Sequence, residues 1–304
     1  MTNQTILSDN PLRDIFAALR PGQWTKNAII LAAFIFAYWD KDQPVDLVSS
    51  LFKIIPALAV FCIVSSAVYL LNDVKDIETD RNHPIKKMRP IASGKVSART
   101  AITIAVLLIV IGGSASWILS TRFFSVLATY FLVQMVYTLA IKKVALVDVF
   151  VIACGFVLRA IAGAVVLDVE ISPWLLLCTF LLALFLALCK RRHEKILLSD
   201  LDAEHRLSLD KYNTNLLNQL ISIVSAATIV SYAIYTLWPN TVDKFGTSKL
   251  GFTIPFVMFG IFRYLDLVYR HNKGGRPEKI LLTDIPLLVD IFLYGITVIA
   301  IFVL

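Results

Sequence analysis

Long apolar stretches alternate with short charged ones along the whole chain, and this alternation predicts nine membrane-spanning helices. The stretches run over roughly 24–40, 51–71, 101–119, 123–141, 144–167, 172–189, 216–238, 250–269 and 285–304. Most approach the ~20 residues that a helix needs to cross a bilayer. The expected fold is an all-α integral membrane protein, a nine-transmembrane-helix bundle forming a single domain over 1–304. Residues 1–23 are polar and amphipathic and show no n-region, h-region and cleavage site, so no signal peptide is expected there. The longest polar connections, 72–100 and 190–215, carry most of the loop charge. Long charged loops in a tight bundle are usually functional. They follow the second and sixth spans and so invite comparison as half-repeats, although no convincing internal repeat is present.

Composition agrees with the membrane reading: 58% of residues are hydrophobic and 17% are charged. Lys and Arg decide the orientation. One face receives 23 of the 29, in groups around Arg13–Lys26, Lys75–Arg99, Lys142–Lys143, Lys190–Lys211 and Arg263–Lys279. The other face has Lys41, Lys53, Arg122, Lys244 and Lys249, and Arg159 falls inside a span. By the positive-inside rule the rich face is expected to be cytoplasmic, with the N-terminus inside and the C-terminus outside. Trp39, Trp117, Trp174 and Trp238 fall near the opposite interface, as an aromatic belt would. The four cysteines lie within or at the ends of spans without metal-ligand spacing and read as small core residues. The net charge of +7 points to anionic lipid and phosphorylated substrates rather than nucleic acid.

The chemistry concentrates at Asn72-Asp73-Val74-Lys75-Asp76-Ile77-Glu78-Thr79-Asp80-Arg81. On a helix, Asp73, Asp76 and Asp80 would share one face over two turns. Such a stack needs a cation, and oxygen-only ligands suit Mg²⁺, which keeps other coordination sites for water and phosphate. The bland alternative is a solvated acidic helix end. The segment runs directly into His83-Pro84-Ile85-Lys86-Lys87-Met88-Arg89, which supplies donors for the phosphate oxygens left over by the metal. Arg81 and Arg89 are read as substrate contacts; Lys86, Lys87 and Lys95 serve either substrate or topology. On the fifth span Asp148, Gly155 and Arg159 form one stripe facing the bundle. An arginine that deep must find an anion, either an acid such as Asp148 or a substrate phosphate. On the seventh span Asn215, Asn218, Gln219 and Ser222 make a polar face that could bind ribose hydroxyls or neighbouring helices. Arg263 and Asp266 read as a local pair.

The string NDVKDIETDRNHPIKKMRPIASG at 72–94 resembles the first aspartate motif of the UbiA-type membrane prenyltransferase superfamily, Asn-Asp-x-x-Asp-x-x-x-Asp. Further stretches resemble its decaprenyl-phosphate phosphoribosyltransferase subgroup: LRPGQWTKN at 19–27, DVFVIACGFVLRAIAGA at 148–164, SPW at 172–174, LFLALCKRRHE at 184–194 and PEKILLTDIPLL at 277–288. The chain departs from ordinary prenyltransferases after the sixth span, where a second aspartate-rich motif is replaced by Lys190-Arg191-Arg192-His193-Glu194-Lys195. Asp200, Asp202 and Glu204 follow at other spacings. A cationic second pole suits a site for one diphosphate and further phosphates.

The resemblance implies Mg²⁺-dependent transfer of a 5-phosphoribosyl group from phosphoribosyl pyrophosphate to a polyprenyl, decaprenyl-type phosphate, with release of diphosphate. It further implies a place in making arabinose donors for cell-wall polymers. Asp73, Asp76 and Asp80 are the expected metal and catalytic carboxylates. Lys26, Asn72, Arg81, Lys86, Arg89, Tyr137, Lys142, Arg159, Lys190, Arg191 and Glu194 are the expected substrate ligands. Expected partners are the two substrates and membrane lipids, and a homo-oligomer is left open. The runner-up is an aromatic prenyltransferase acting on a prenyl diphosphate, which the cationic string disfavours. More distant is a transporter using Asp148, Arg159 and Asp290, whose site should lie near the midplane.

Overall fold

A computed structural model describes residues 10–42, 45–199, 212–271, 274, 275 and 277–303, and among them the regular structure is entirely helical. In chain order the α-helices are α1 (Pro11–Ala18), α2 (Ile30–Tyr38), α3 (Leu47–Lys75), α4 (Ile77–Arg81), α5 (Ala98–Leu119), α6 (Thr121–Leu139) and α7 (Val147–Leu167). They continue with α8 (Pro173–Ser199), α9 (Thr214–Leu237), α10 (Pro239–Phe245), α11 (Ile254–Tyr269), α12 (Pro277–Thr283) and α13 (Ile285–Val303). Polar side chains at the loop boundaries start several of them. Asp46, Ser97, Ser120 and Asn213 each accept a backbone N–H of the following turn, at the heads of α3, α5, α6 and α9. Such caps satisfy N–H groups that a helix start leaves unbonded.

Among the described residues, eight helical segments are long and apolar enough to cross a membrane: α3, α5, α6, α7, α8, α9, the run Lys249–Tyr269 that contains α11, and α13. The chain is thus a multi-pass membrane protein. The expected ninth span at 24–40 is not one such helix. It divides into a 3₁₀ run, Pro21–Ile29, and the nine-residue α2. At ~2.0 and ~1.5 Å per residue the two pieces together reach about 31 Å, close to the ~30 Å of a hydrocarbon core. The polar half, with Gln23, Thr25, Lys26 and Asn27, does not read as a spanning helix by length and composition. The count of nine is therefore not established.

Two further boundaries differ from expectation. The loop expected from residue 190 is, as far as Ser199, a continuation of α8. Lys190, Arg191, Arg192, Glu194 and Lys195 are good helix formers, and Arg191 pairs with Glu194 one turn on. Asp200, Asp202 and Glu204 lie outside the described residues. In the first motif α3 stops at Lys75, and Asp76 sits at φ −99°, ψ 7° before α4 begins. The three aspartates are therefore not on one unbroken helix.

Two apolar cores flank α7. One gathers α2, α3, α6 and α7 around Phe61, Phe123 and Tyr130; the other gathers α7, α8, α9 and α11 around Phe185, Leu188 and Tyr264. Small residues allow the close approaches, as is usual between helices in lipid. A Cβ at Gly163 of α7 would collide with the Ile30 carbonyl of α2, and one at Gly112 of α5 would meet Val64 of α3. Large apolar side chains such as Phe52, Ile118, Ile285 and Phe292 face outward. At the end bearing the acidic motif, α1 tucks Ala18 into a smaller cluster with Leu70, Ile91 and Val96. At the other end, Trp39 stacks on Phe302 and Trp174 meets Trp238.

Candidate active site

Asp73 is buried at the foot of α3 and held by two arginines. Arg20 Nε donates to it at 3.2 Å and Arg20 Nη2 binds its other oxygen, while Arg89 Nη1 reaches it at 3.0 Å. The same Arg89 Nη1 donates to Asp80 at 2.6 Å. Two carboxylates therefore converge on one cationic nitrogen. Burial holds the Asp80 carboxyl above the usual carboxylate range, despite the opposing charges of Arg89 and Lys86. Asp76, turned aside by the break before α4, pairs instead with Lys142 in the short 3₁₀ turn after α6. Asn72 accepts from the Thr138 hydroxyl at 3.4 Å.

Arg20 adopts a left-handed backbone, φ 57° and ψ 58°, at the start of the 3₁₀ run. A non-glycine residue held there carries strain that surrounding contacts must compensate. Here the contacts are the Asp73 carboxylate and the ring of Tyr69, 5.3 Å away. Further along the same run, Gln23 donates to Glu278 of α12 at 2.7 Å. Burial alone would raise the Glu278 carboxyl, but the Lys26 charge and the Gln23 bond outweigh it and the net shift is downward.

These groups open on a cavity of about 830 Å³. Lys26, Asn72, Asp76, Asp80, Lys86, Arg89, Tyr137, Lys142, Arg159, Lys190, Arg191 and Glu194 line it, so twelve of the expected site residues come together. Two do not. Asp73 sits behind Arg20 and Arg89 rather than on the wall. Arg81 is half-exposed and turned to the Ala92 carbonyl at 3.2 Å and Glu78 at 3.1 Å. Beyond the charged mouth the wall becomes apolar, with Ile29, Phe36, Ile152, Phe156, Val257 and Ile261 among its residues. The buried Tyr264 hydroxyl also faces this chamber and has no hydrogen-bond partner among the described residues.

Asp148 does not pair with Arg159. Its carboxylate takes Arg191 Nε at 2.7 Å and the Tyr212 hydroxyl at 2.7 Å, and Arg191 also binds Glu194. Arg159 instead donates to Asn27 Oδ1 at 2.7 Å, Gly155 O at 2.8 Å and the Tyr130 hydroxyl at 2.8 Å. Arg192 turns away from the cavity, to Asn218 at 2.8 Å and over the Tyr269 ring. Asn218 thus serves helix packing, and Arg263 pairs with Asp266 as expected and with Asp284 in addition. Arg20, Gln23 and Glu278 were missed as site residues. Their signal was present in LRPGQWTKN and PEKILLTDIPLL, yet Arg20 counted there only toward topology and Glu278 lies 255 residues from its partner.

Residues 28–202 match the model of the UbiA prenyltransferase family. The chain belongs to that family. A decaprenyl-phosphate phosphoribosyltransferase of Mycolicibacterium smegmatis is 35% identical over 283 residues, covering 90% of this chain and 88% of that protein. One of Corynebacterium glutamicum is 32% identical over 294 residues, covering 92% and 86%. Among solved structures, a UbiA homolog from Archaeoglobus fulgidus bound to GPP and Mg²⁺ superposes with a TM-score of 0.69 at 16% identity, covering 96% of this chain and all of that one. At that identity the likeness concerns the fold.

A UbiA homolog bound to Mg²⁺ raises the question whether this chain's donors suit the ion. Among the described residues no three acidic, His or Cys side chains gather at metal-ligand closeness. Of the three aspartates, Asp73 and Asp80 converge on Arg89, while Asp76 is drawn to Lys142. Two hard carboxylates meeting where a cation already sits fit Mg²⁺, which needs only one or two such ligands beside substrate phosphate.

Proposed function

We propose that this family member transfers the 5-phosphoribosyl group of phosphoribosyl pyrophosphate to a decaprenyl-type polyprenyl phosphate, releasing diphosphate. One observation carries the reading: a single cavity joins a mouth of carboxylates and cations to an apolar chamber inside the bundle. A wholly polar donor suits the mouth, and the isoprenoid tail of the acceptor suits the chamber. Relatives named for this activity across almost the full chain support it. The whole chain acts as one domain in a bacterial inner membrane. Its N-terminus and active site face the cytoplasm, the C-terminus lies outside, and the product feeds the making of arabinose donors for the cell wall.

Asp73 and Asp80, beside Asp76 and Asn72, would hold Mg²⁺, which when bound would supply neutralisation of the leaving diphosphate. Arg20, Arg89, Lys86 and Lys142 surround the same mouth and take up further phosphate charge. The bond from the ribose anomeric carbon to the diphosphate oxygen breaks as an acceptor phosphate oxygen bonds to that carbon. Attack from the far side inverts the centre. The acceptor is already an anion, so no strong general base is required; orientation and charge neutralisation carry the catalysis. The buried setting also limits water, which competes as a nucleophile.

The test is turnover by purified protein in Mg²⁺ with radiolabelled phosphoribosyl pyrophosphate and decaprenyl phosphate. Labelled lipid is expected from the wild type, and its loss from Asp73→Ala. Should the protein instead consume a prenyl diphosphate with 4-hydroxybenzoate, the proposal fails.

A further inference from the structure

Several cations on the cavity wall form contact ion pairs with acids, and three others form none among the described residues. Arg20 and Arg89 are matched by Asp73 and Asp80, Lys142 by Asp76, and Arg191 by Asp148 and Glu194. Arg159 has no such match. It is 4% exposed, and among the described residues its three hydrogen bonds go to neutral acceptors. Lys26 and Lys190 make no hydrogen bond and no contact ion pair among the described residues, although both line the cavity. Glu278, which already accepts from Gln23, bears on both, and Glu194 acts on Lys190 without touching it. Lys26 links the three, lying within electrostatic reach of Arg159 and of Lys190. Asn27 joins Lys26 to α7 through its bond to Arg159.

Position narrows the ligand. Arg159 stands eight residues before the end of α7, and its Nη1 bonds the Gly155 carbonyl one turn back toward the charged mouth. Its guanidinium lies over Phe156, on the wall where the lining turns apolar. Unmatched positive charge inside a membrane bundle is costly until an anion arrives. A molecule with an anionic head and a long apolar tail puts its head at that boundary, whereas a fully polar sugar phosphate gains nothing from the chamber beyond.

We propose that Lys26, Arg159 and Lys190 form the seat of the acceptor's phosphate monoester, apart from the carboxylate-bearing mouth that takes the donor's diphosphate. The assignment rests on the phosphoribosyl-transfer reading. It divides the cavity by substrate: carboxylate-matched cations for the donor, unmatched ones for the lipid.

The experiment uses the full chain in nanodiscs, with Lys26→Gln and Lys190→Gln as main variants because neither side chain loses a hydrogen bond, and Arg159→Lys as a third. Two quantities are read: equilibrium binding of decaprenyl phosphate against uncharged decaprenol, and KM for each substrate. Losing one charge-assisted contact is expected to weaken decaprenyl phosphate binding on the order of 10-fold. Decaprenol binding and the KM for phosphoribosyl pyrophosphate should stay within about 2-fold of wild type, and the melting temperature within about 2 °C. A raised donor KM with unchanged lipid binding would assign these cations to the donor and overturn the proposal. Unchanged binding and kinetics in both glutamine variants would overturn it as well. The lipid-binding readout needs no turnover. If the wild type binds decaprenyl phosphate through these residues yet transfers no phosphoribosyl group, the transfer reading fails while the seat stands.

Discussion

Tyr212 shows how a single hydroxyl holds the site's scaffold in place. It accepts the Leu146 N–H at 2.7 Å and donates to Asp148, which in turn holds Arg191. Leu146 is itself at φ 68°, a strained conformation for a branched residue, so the bond to its N–H helps retain that turn. Tyr212→Phe is expected to cost about 1–3 kcal/mol, lowering the melting temperature in detergent by a few degrees. No change would mean that the hydroxyl does not support the turn. Glu278 offers a second check at this scale. Its carboxyl is favoured as the anion in the fold, so it contributes stability above its ordinary pKa of 4.5 and loses it as the pH falls through the lowered folded value. Glu278→Gln should flatten the pH dependence of melting below about pH 4.5, with little effect on its slope at neutral pH. An acid limb as steep as in the wild type would exclude this role.

Among the elements, the contact of α2 with α7 is the most exacting. Gly163 abuts the Ile30 backbone, and Ile30 continues directly from the 3₁₀ run that carries Lys26 and Asn27. A methyl group there must push α2 away. Gly163→Ala is therefore expected to cost ~1–3 kcal/mol and to reduce activity by shifting the 3₁₀ run. Gly295 on α13 has open space around it, and Gly295→Ala should be neutral or gain up to ~1 kcal/mol from helix propensity. Thermal melting of both variants separates a steric cause from a general glycine effect. The extension of α8 to Ser199 has a comparable local logic: a rigid helix, rather than a loop, carries Lys190 and Arg191 to the cavity wall while Arg192 locks against α9 and α11.

For the whole molecule, the positive-inside distribution carries a testable orientation. In a chain whose native cysteines are replaced by alanine, Ser120→Cys should react with an impermeant maleimide in intact cells. Lys87→Cys should react only after permeabilisation. The reverse pattern would invert the topology and place the active site outside. The bundle's two cores meet across α7, and the cavity opens between them with Arg159 of α7 on its wall. That arrangement lets one chamber take its walls from helices far apart in sequence.

Much of this was legible in the residues themselves. Apolar stretches near the length of a bilayer crossing report spans because unsatisfied backbone cannot cross lipid, and eight of them stand as single helices. The acidic motif and the basic string marked both ends of the mouth, since charge at a span end is a local signal. Partner choice was not local. Spacing along one helix suggested Asp148 for Arg159, yet Asp148 binds Arg191 from α8 and Arg159 binds Asn27 from the 3₁₀ run. Glu278 joins the site from the far end of the chain, and Arg20 rather than a metal ligand alone guards Asp73. Sequence determines which charges sit at which depth; only the packing of separate helices decides which charge meets which, because those encounters depend on distances that no spacing along one helix encodes.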